Sequence, residues 1–188
     1  MRFIPYFRSA IIFVFVIVLV GCKDQGAEPP ANTARFDLNS FASAQTCSTC
    51  HPQYYNEWSG SMHRYATNDP IWMLAANALQ GSTQGRLKDW CWQCHSPIGF
   101  LTGNAPPTFQ FSDLPAIVKE GVNCDVCHVM RPPHTTTNQN IKYNFKPGQQ
   151  KLGTLADPIP AGVHESVYDA SLGRSESCRG CHDLFVNH

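Results

Sequence analysis

The most hydrophobic part of the chain is an uninterrupted apolar run at residues 10–20, which follows Arg2 and Arg8. Its eleven residues suit the hydrophobic region of a secretory signal, whereas a membrane-spanning helix needs about 20. The run ends at Leu19-Val20-Gly21-Cys22, which resembles a bacterial lipobox, with cleavage after residue 21 and lipid attached to the Cys22 thiol. The alternative is an ordinary signal peptide that happens to contain a cysteine. We expect an exported protein, lipid-anchored on the periplasmic or cell-surface side of a bacterial membrane.

The segment after this signal (residues 1–21) is polar. Residues 22–40 are expected to form a membrane tether, because residues 23–35 contain Pro29 and Pro30 and have no aromatic side chain. The remaining residues, 41–188, are expected to form a single domain.

Apolar spacing predicts two helices early in this domain. The first begins at Pro52, a favourable residue for the first turn, and keeps apolar residues at intervals of three and four as far as Tyr65. The second is predicted at residues 71–79, opened by Asn68-Asp69-Pro70 and closed by Gly81.

The later part of the domain has weaker patterns. A short helix is predicted at residues 114–120, ended by Gly121, and a short helix-like stretch at residues 164–172. Residues 131–163 are rich in Thr, Asn, Gln, Pro and Gly and predict a long irregular segment. The expected fold is therefore mainly α, with extensive irregular loops.

Composition adds a difficulty for such a fold. About 81 of the 188 residues are apolar and 16 of them lie in the signal, so about 65 of the remaining 167 are apolar. This share is below the ~45–50% usual for soluble domains, so something besides side chains has to form the core. Without Arg2 and Arg8, 12 basic residues face 14 acidic ones, which excludes a strongly basic nucleic-acid-binding protein.

Eight of the nine cysteines fall into four copies of the pattern Cys-x-x-Cys-His, the attachment site of c-type haem. In such a site both sulfurs form thioethers with the haem vinyl groups, and the adjacent histidine is the proximal ligand of the iron. The pattern predicts four covalently bound haem c groups that supply the missing core. The motifs are Cys47, Cys50, His51; Cys91, Cys94, His95; Cys124, Cys127, His128; and Cys178, Cys181, His182.

Three other uses of these cysteines are less consistent with the spacing. Paired zinc-ribbon motifs usually lie ~15–20 residues apart and need no histidine after each pair, whereas these motifs start 44, 33 and 54 residues apart. A disulfide framework suits an exported chain, but four repeats with histidine are an unusual way to build one. A thioredoxin-like site needs one copy and a βαβ pattern, which the sequence lacks.

Histidine counting predicts the other iron ligands. Four histidines lie outside the motifs, as many as four irons need for a second axial ligand, which predicts bis-histidine, low-spin, low-potential haems. The distal candidates are His63, His164, His134 and His188. Methionine would be the alternative ligand, but Met62, Met73 and Met130 are poorly placed in the sequence, and Met73 is expected to pack in the core.

The motifs and their surroundings resemble the cytochrome c552/c554 family of multihaem cytochromes, over about residues 44–183. This resemblance implies a helical fold organised by closely packed haem pairs, with electron transfer as the function. It also implies that His63 corresponds to a conserved histidine outside the motifs. His164 resembles the family histidine that precedes the last motif present here. The matching segments are Cys47–His51 with Pro52, Trp58, Ser61 and His63; Asp69-Pro70; Cys91 to Pro97; and Gly121-Val122-Asn123 before Cys124–His128. Family members often continue to a further haem motif, so the chain is either a short tetrahaem member or truncated.

Four motifs in 167 residues predict closely packed haems and hence an electron carrier between a membrane donor and an extracytoplasmic acceptor. The expected partners are redox proteins, with a basic patch favoured because haem propionates add negative charge. The alternatives are a redox enzyme acting on a small nitrogen or sulfur compound at a five-coordinate haem, and a subunit of a cytochrome filament. Without haem, the chain is not expected to fold.

Overall fold

Short helices joined by loops make up most of the fold. The computed structural model describes residues 34–87, 89–131, 135–137, 140–159 and 162–183. Within these ranges the α-helices are α1 (Ala44–Ser48), α2 (Pro52–Ser59), α3 (Met62–Tyr65), α4 (Pro70–Ser82), α5 (Trp92–His95), α6 (Pro97–Leu101), α7 (Cys124–His128) and α8 (Arg179–His182). Single 3₁₀ turns lie at Leu38–Ser40, Phe111–Asp113, Val118–Glu120, Ala170–Gly173 and Ser175–Ser177. The predicted mainly α fold with extensive loops is confirmed.

Four short strands form two small sheets in the later part of the chain. β1 (Thr135–Thr137) pairs antiparallel with β2 (Asn140–Lys142). β3 (Gln150–Gly153) pairs in parallel with β4 (Glu165–Tyr168), and Leu152 lies opposite Val167. The prediction that residues 131–163 are wholly irregular is wrong, because strands of three or four residues are too short to show an alternating pattern.

The helix that starts at Pro52 is shorter than predicted. α2 ends at Ser59, and Ser61 then caps α3, its Oγ accepting a hydrogen bond from the Arg64 N–H at 3.4 Å. His63 therefore lies on a separate one-turn helix, because the serine offers the backbone a new N-terminus.

The second predicted helix is present and slightly longer than expected. The Asp69 carboxylate accepts hydrogen bonds from the N–H groups of Ile71, at 2.7 Å, and Trp72, at 3.4 Å. α4 then continues to Ser82, so Gly81 lies inside its last turn.

Two shorter predictions need correction. Residues 114–120 form only the 3₁₀ turn Val118–Glu120, which Gly121 ends with a φ of +70°. Residues 164–172 are not helical: His164 precedes β4, and the 3₁₀ turn Ala170–Gly173 follows it. Pairing with β3 overrides the local preference of this segment, as is common for short strands.

The buried apolar side chains form two clusters, each beside a cysteine motif. The first packs around α6 and α7 and contains Phe41, Ile98, Leu101, Val126, Val129 and Phe145. The second packs around α4 and α5 and contains Ala76, Trp92, Ala105, Phe109, Leu114 and Val118. Within the described ranges, no helix has the length and apolar character needed to span a membrane.

Candidate haem centres

Each cysteine motif forms the same helical turn. The histidine N–H donates to the carbonyl of the first cysteine at 2.9 Å for His51, 3.2 Å for His95 and 3.0 Å for His182. The third motif coincides with helix α7. A turn of this kind places two cysteines and the following histidine on one side of the backbone, which is the arrangement that haem attachment requires. The chain therefore repeats one attachment geometry four times.

The four motifs, numbered 1 to 4 in chain order, lie together in two pairs. The Cys47 thiol is within hydrogen-bonding distance of Cys124; this contact lowers the pKa of Cys47 to about 7 and raises that of Cys124. A contact of the same kind joins Cys94 to Cys181 and lowers the pKa of Cys181 to about 7. Motif 1 is thus adjacent to motif 3, and motif 2 to motif 4.

Motif 2 and motif 4 also share a cavity of about 260 Å³. Cys91, Cys94 and His95 line it from one side and Cys181 from the other. Its remaining walls are largely apolar side chains of α4, among them Trp72, Ala76 and Leu79. Apolar walls beside both attachment turns are suited to a porphyrin.

Carboxylates connect motif 1 to motif 3. Glu120 accepts hydrogen bonds from the Ser43 hydroxyl at 2.5 Å, the Ala44 N–H at 3.0 Å and the Asn123 amide at 2.7 Å. Asp125, inside motif 3, accepts from the Ala42 N–H at 2.6 Å and forms an ion pair with Lys151 at 2.6 Å. Hydrogen bonds to charged groups are stronger than neutral ones, so this network fixes the entry of α1 against α7.

A buried tyrosine performs the corresponding task for motif 2 and motif 4. The Tyr143 hydroxyl donates to the Gln93 carbonyl and lies 3.2 Å from the Cys181 sulfur. The Gln93 side chain in turn accepts from the Ile141 N–H at 2.7 Å. Burial raises the pKa of Tyr143 well above its usual value, so the phenol stays neutral.

Two of the predicted distal histidines each face a motif histidine. The ring centres of His51 and His164 are 6.3 Å apart, and those of His63 and His182 are 6.1 Å apart. A metal–imidazole bond is about 2.0 Å long, and a ring with bonds of about 1.35 Å has its centre about 1.15 Å from each atom. Two imidazoles on opposite sides of one metal therefore have centres about 6.3 Å apart. Both pairs have the spacing that an intervening iron requires.

The other two motif histidines are held by backbone carbonyls. His95 donates from Nδ1 to the Ala66 carbonyl at 2.6 Å, and His128 donates from Nδ1 to the Leu152 carbonyl at 2.5 Å. Such a bond fixes the tautomer that leaves Nε2 free to bind a metal. Burial lowers the pKa of His95, which keeps its imidazole in the neutral form that metal binding needs. Trp72 stacks on the same ring at 4.4 Å between centres.

The remaining sequence predictions have mixed outcomes. Met73 packs beside the second core cluster as expected, whereas Met62 is 72% exposed. The predicted signal and Cys22, within residues 1–33, and the distal candidates His134 and His188 lie outside the described residues.

Several connecting residues were not identified from the sequence. Asp125 lies inside a motif and could have been suspected, but Glu120, Tyr143 and Lys151 belong to no recognisable pattern. Only the fold brings these side chains to the motifs.

The alternative uses of cysteine find no support in this geometry. The eight motif cysteines are unpaired, so the described residues contain no disulfide between them. In the same part of the chain, no three His, Cys, Asp or Glu side chains converge as a group that could hold an ion such as zinc. The turns, the facing histidines and the apolar cavity fit haem c instead.

The fold and its four motifs are those expected of the class of multihaem c-type cytochromes, in which Cys-x-x-Cys-His turns are the attachment sites of haem c. The family match of the chain is to cytochrome c554 and c-prime, whose model fits residues 46–129 and so includes the first three motifs. The resemblance to the c552/c554 cytochromes inferred from sequence is thereby confirmed.

One solved structure supports the fold beyond that segment. The chain is similar to a penta-heme cytochrome c552 from Thermochromatium tepidum, with 21% identity and a TM-score of 0.57. The match covers 81% of this chain and 48% of that one, so the chain spans about half the length of this relative. No curated protein sequence matches the chain.

Proposed function

We propose that this protein is a membrane-anchored, exported tetrahaem cytochrome that passes electrons along closely packed haems. Haem c would supply, at each of the four motifs, an iron that cycles between the ferric and ferrous states. The cysteines and histidines of the motifs would hold these groups, and His164 and His63 would complete the coordination opposite His51 and His182.

The observation that carries this proposal is the arrangement of the motifs in two adjacent pairs. Because sulfurs of motifs 1 and 3, and of motifs 2 and 4, are in contact, the groups attached there would also be adjacent. Electron tunnelling falls steeply with distance, so adjacency favours transfer over reaction at separate sites.

The chain's own residues contribute position and charge. Carbonyls of Ala66 and Leu152 hold His95 and His128 in the metal-binding tautomer. The hydrogen bonds of Glu120 and Tyr143 keep each pair of attachment turns together. Fixed ligands reduce the rearrangement that accompanies a change of oxidation state, which favours rapid electron transfer.

The remaining features of the proposal come from the sequence. Lipid on Cys22 would anchor the protein at a membrane surface, and residues 23–35 would give it reach toward soluble redox partners. The side chains carry a small negative excess without the signal, so a partner with a basic surface would be attracted.

Ligand binding by the haem-loaded protein tests the proposal. Intact mass after export should show four haems per chain, and carbon monoxide should leave the Soret band of the reduced protein essentially unchanged, since every iron is expected to be six-coordinate. Rapid binding of carbon monoxide or cyanide to one haem would contradict the carrier and favour an enzyme with an open iron. A haem count other than four would contradict the tetrahaem assignment.

A further inference from the structure

Asp125, inside motif 3, forms an ion pair with Lys151 of β3, and this pair links the two elements that carry His51 and His164. Asp125 is 1% exposed, and its two oxygens have different partners. Oδ2 accepts from the Ala42 N–H at 2.6 Å, just before the cap of α1, and Oδ1 pairs with Lys151 Nζ at 2.6 Å. One carboxylate therefore joins the entry of α1 to strand β3.

Strand β3 in turn places His164. β3 pairs with β4 in parallel, and the Glu165 N–H donates to the Gln149 carbonyl at 3.0 Å, directly after His164. From Asp125, one path runs through Ala42 and α1 to His51, and the other through Lys151, β3 and β4 to His164. The two paths end at imidazole rings whose centres are 6.3 Å apart.

We propose that the Asp125–Lys151 ion pair, although Asp125 belongs to motif 3, fixes the distance between His51 and His164, the proposed ligands of the first haem. Both residues act as positioning residues. The proposal rests on the proposed assignment of His51 and His164 as the ligands of one iron. A buried carboxylate suits this task because its two oxygens accept from different directions. A buried charge left unpaired is also unfavourable, so the carboxylate holds its partners in place.

A second contact of β3 distinguishes the effect expected at the first haem from a local effect at the third. Leu152, next to Lys151, accepts the Nδ1–H of His128. Loss of this contact alone would therefore disturb the third haem and leave the ligands of the first haem in place. The proposal instead predicts loss of a ligand at the first haem, through the pairing of β3 with β4 and the position of His164.

The test is the spin state of the ferric haems in Lys151→Met, measured by EPR together with the haem count by mass. The wild-type protein should show no high-spin signal from the first haem, and Lys151→Met should show about one high-spin haem per chain with all four haems attached. Lys151→Arg, which can restore the ion pair, should return to the wild-type spectrum. Lys146→Met, the same substitution at an exposed lysine nearby, should also match the wild type.

The double variant with His164→Ala identifies the affected haem. His164→Ala alone should give one high-spin haem, and adding Lys151→Met should give no second one. Two high-spin haems in the double variant, or an unchanged spectrum in Lys151→Met, would overturn the proposal.

Two other outcomes are distinguished from failure of this proposal. An unchanged spectrum in His164→Ala would instead refute the ligand assignment in the proposed function. If Lys151→Met does not accumulate, Asp125→Asn/Lys151→Met removes the ion pair without leaving a buried charge and should show the same single high-spin haem; a wild-type spectrum in that variant would also overturn the proposal.

Discussion

Gly121 is the residue at which a single methyl group should disturb a proposed iron ligand most directly. Its φ is +70°, a conformation that residues with a Cβ rarely adopt. A Cβ built there would lie 2.5 Å from the His63 carbonyl oxygen and 3.2 Å from that of Arg64. The Val122 N–H donates to the same His63 carbonyl at 3.0 Å, so that oxygen is already held.

The size of the effect of Gly121→Ala follows from these contacts. The unfavourable backbone conformation costs of the order of 1–3 kcal/mol, and overpacking against a fixed carbonyl costs typically about 1–3 kcal/mol more. The free energy of unfolding should therefore fall by about 2–6 kcal/mol, which for a chain of this size lowers Tm by roughly 5–20 °C. To reach even 3.0 Å, the His63 backbone must move by at least about 0.5 Å, which also displaces its imidazole from His182.

Thermal unfolding followed by circular dichroism, with EPR of the ferric protein, checks both consequences. Gly60→Ala is the matched control, because no atom lies within 4 Å of the added Cβ and its φ is −94°. We expect that control to change Tm by no more than a few degrees. If Gly121→Ala has the Tm and the low-spin spectrum of the wild type, then the close approach of residue 121 to His63 is not a constraint and the reasoning is wrong.

Three other changes test a proposed iron ligand, a buried hydrogen bond and the need for haem in the core. His164→Met should raise the reduction potential of one haem, because methionine ligation favours ferrous iron; a redox titration in which all potentials stay at wild-type values would count against this ligand. Trp58→Phe removes the indole N–H that donates to the Val122 carbonyl at 2.8 Å and should lower the free energy of unfolding by about 1–3 kcal/mol, measured by urea titration. The chain expressed without haem attachment should lack cooperative thermal unfolding, and a sharp transition in that material would show that the side chains suffice as a core.

The helical turn of each Cys-x-x-Cys-His motif could be predicted from sequence because it is local. Two cysteines and a histidine within five residues determine one helical turn, whatever surrounds it, and all four turns are present. The cap at Asp69 was predictable for the same reason, since its partners are the next two or three residues. Local hydrogen bonds leave a local pattern in the sequence.

The pairing of the motifs could not be predicted, because it depends on contacts between distant segments. Counting marks His63 and His164 as candidate ligands, but no local pattern shows that His63 faces His182 or that His164 faces His51. The helix predicted at residues 164–172 failed for a related reason. Residues 165–168 of that segment are a strand because β3 lies beside them, and β3 itself is too short to be seen in the sequence.

The two motif pairs are joined by different chemistry, although neither connection could be predicted from the sequence. Motifs 1 and 3 are joined by the carboxylates of Glu120 and Asp125, whereas motifs 2 and 4 are joined by the neutral groups of Tyr143 and Gln93. A buried carboxylate needs several donors and a cation, which the fold supplies to Asp125 as the Ala42 N–H and Lys151. A buried phenol needs one acceptor, which any backbone carbonyl can provide, so nothing in the sequence marks Tyr143 among the six tyrosines. Once the fold shows which groups are buried, a buried charge restricts its possible partners to donors and cations, whereas a buried neutral group leaves many partners possible.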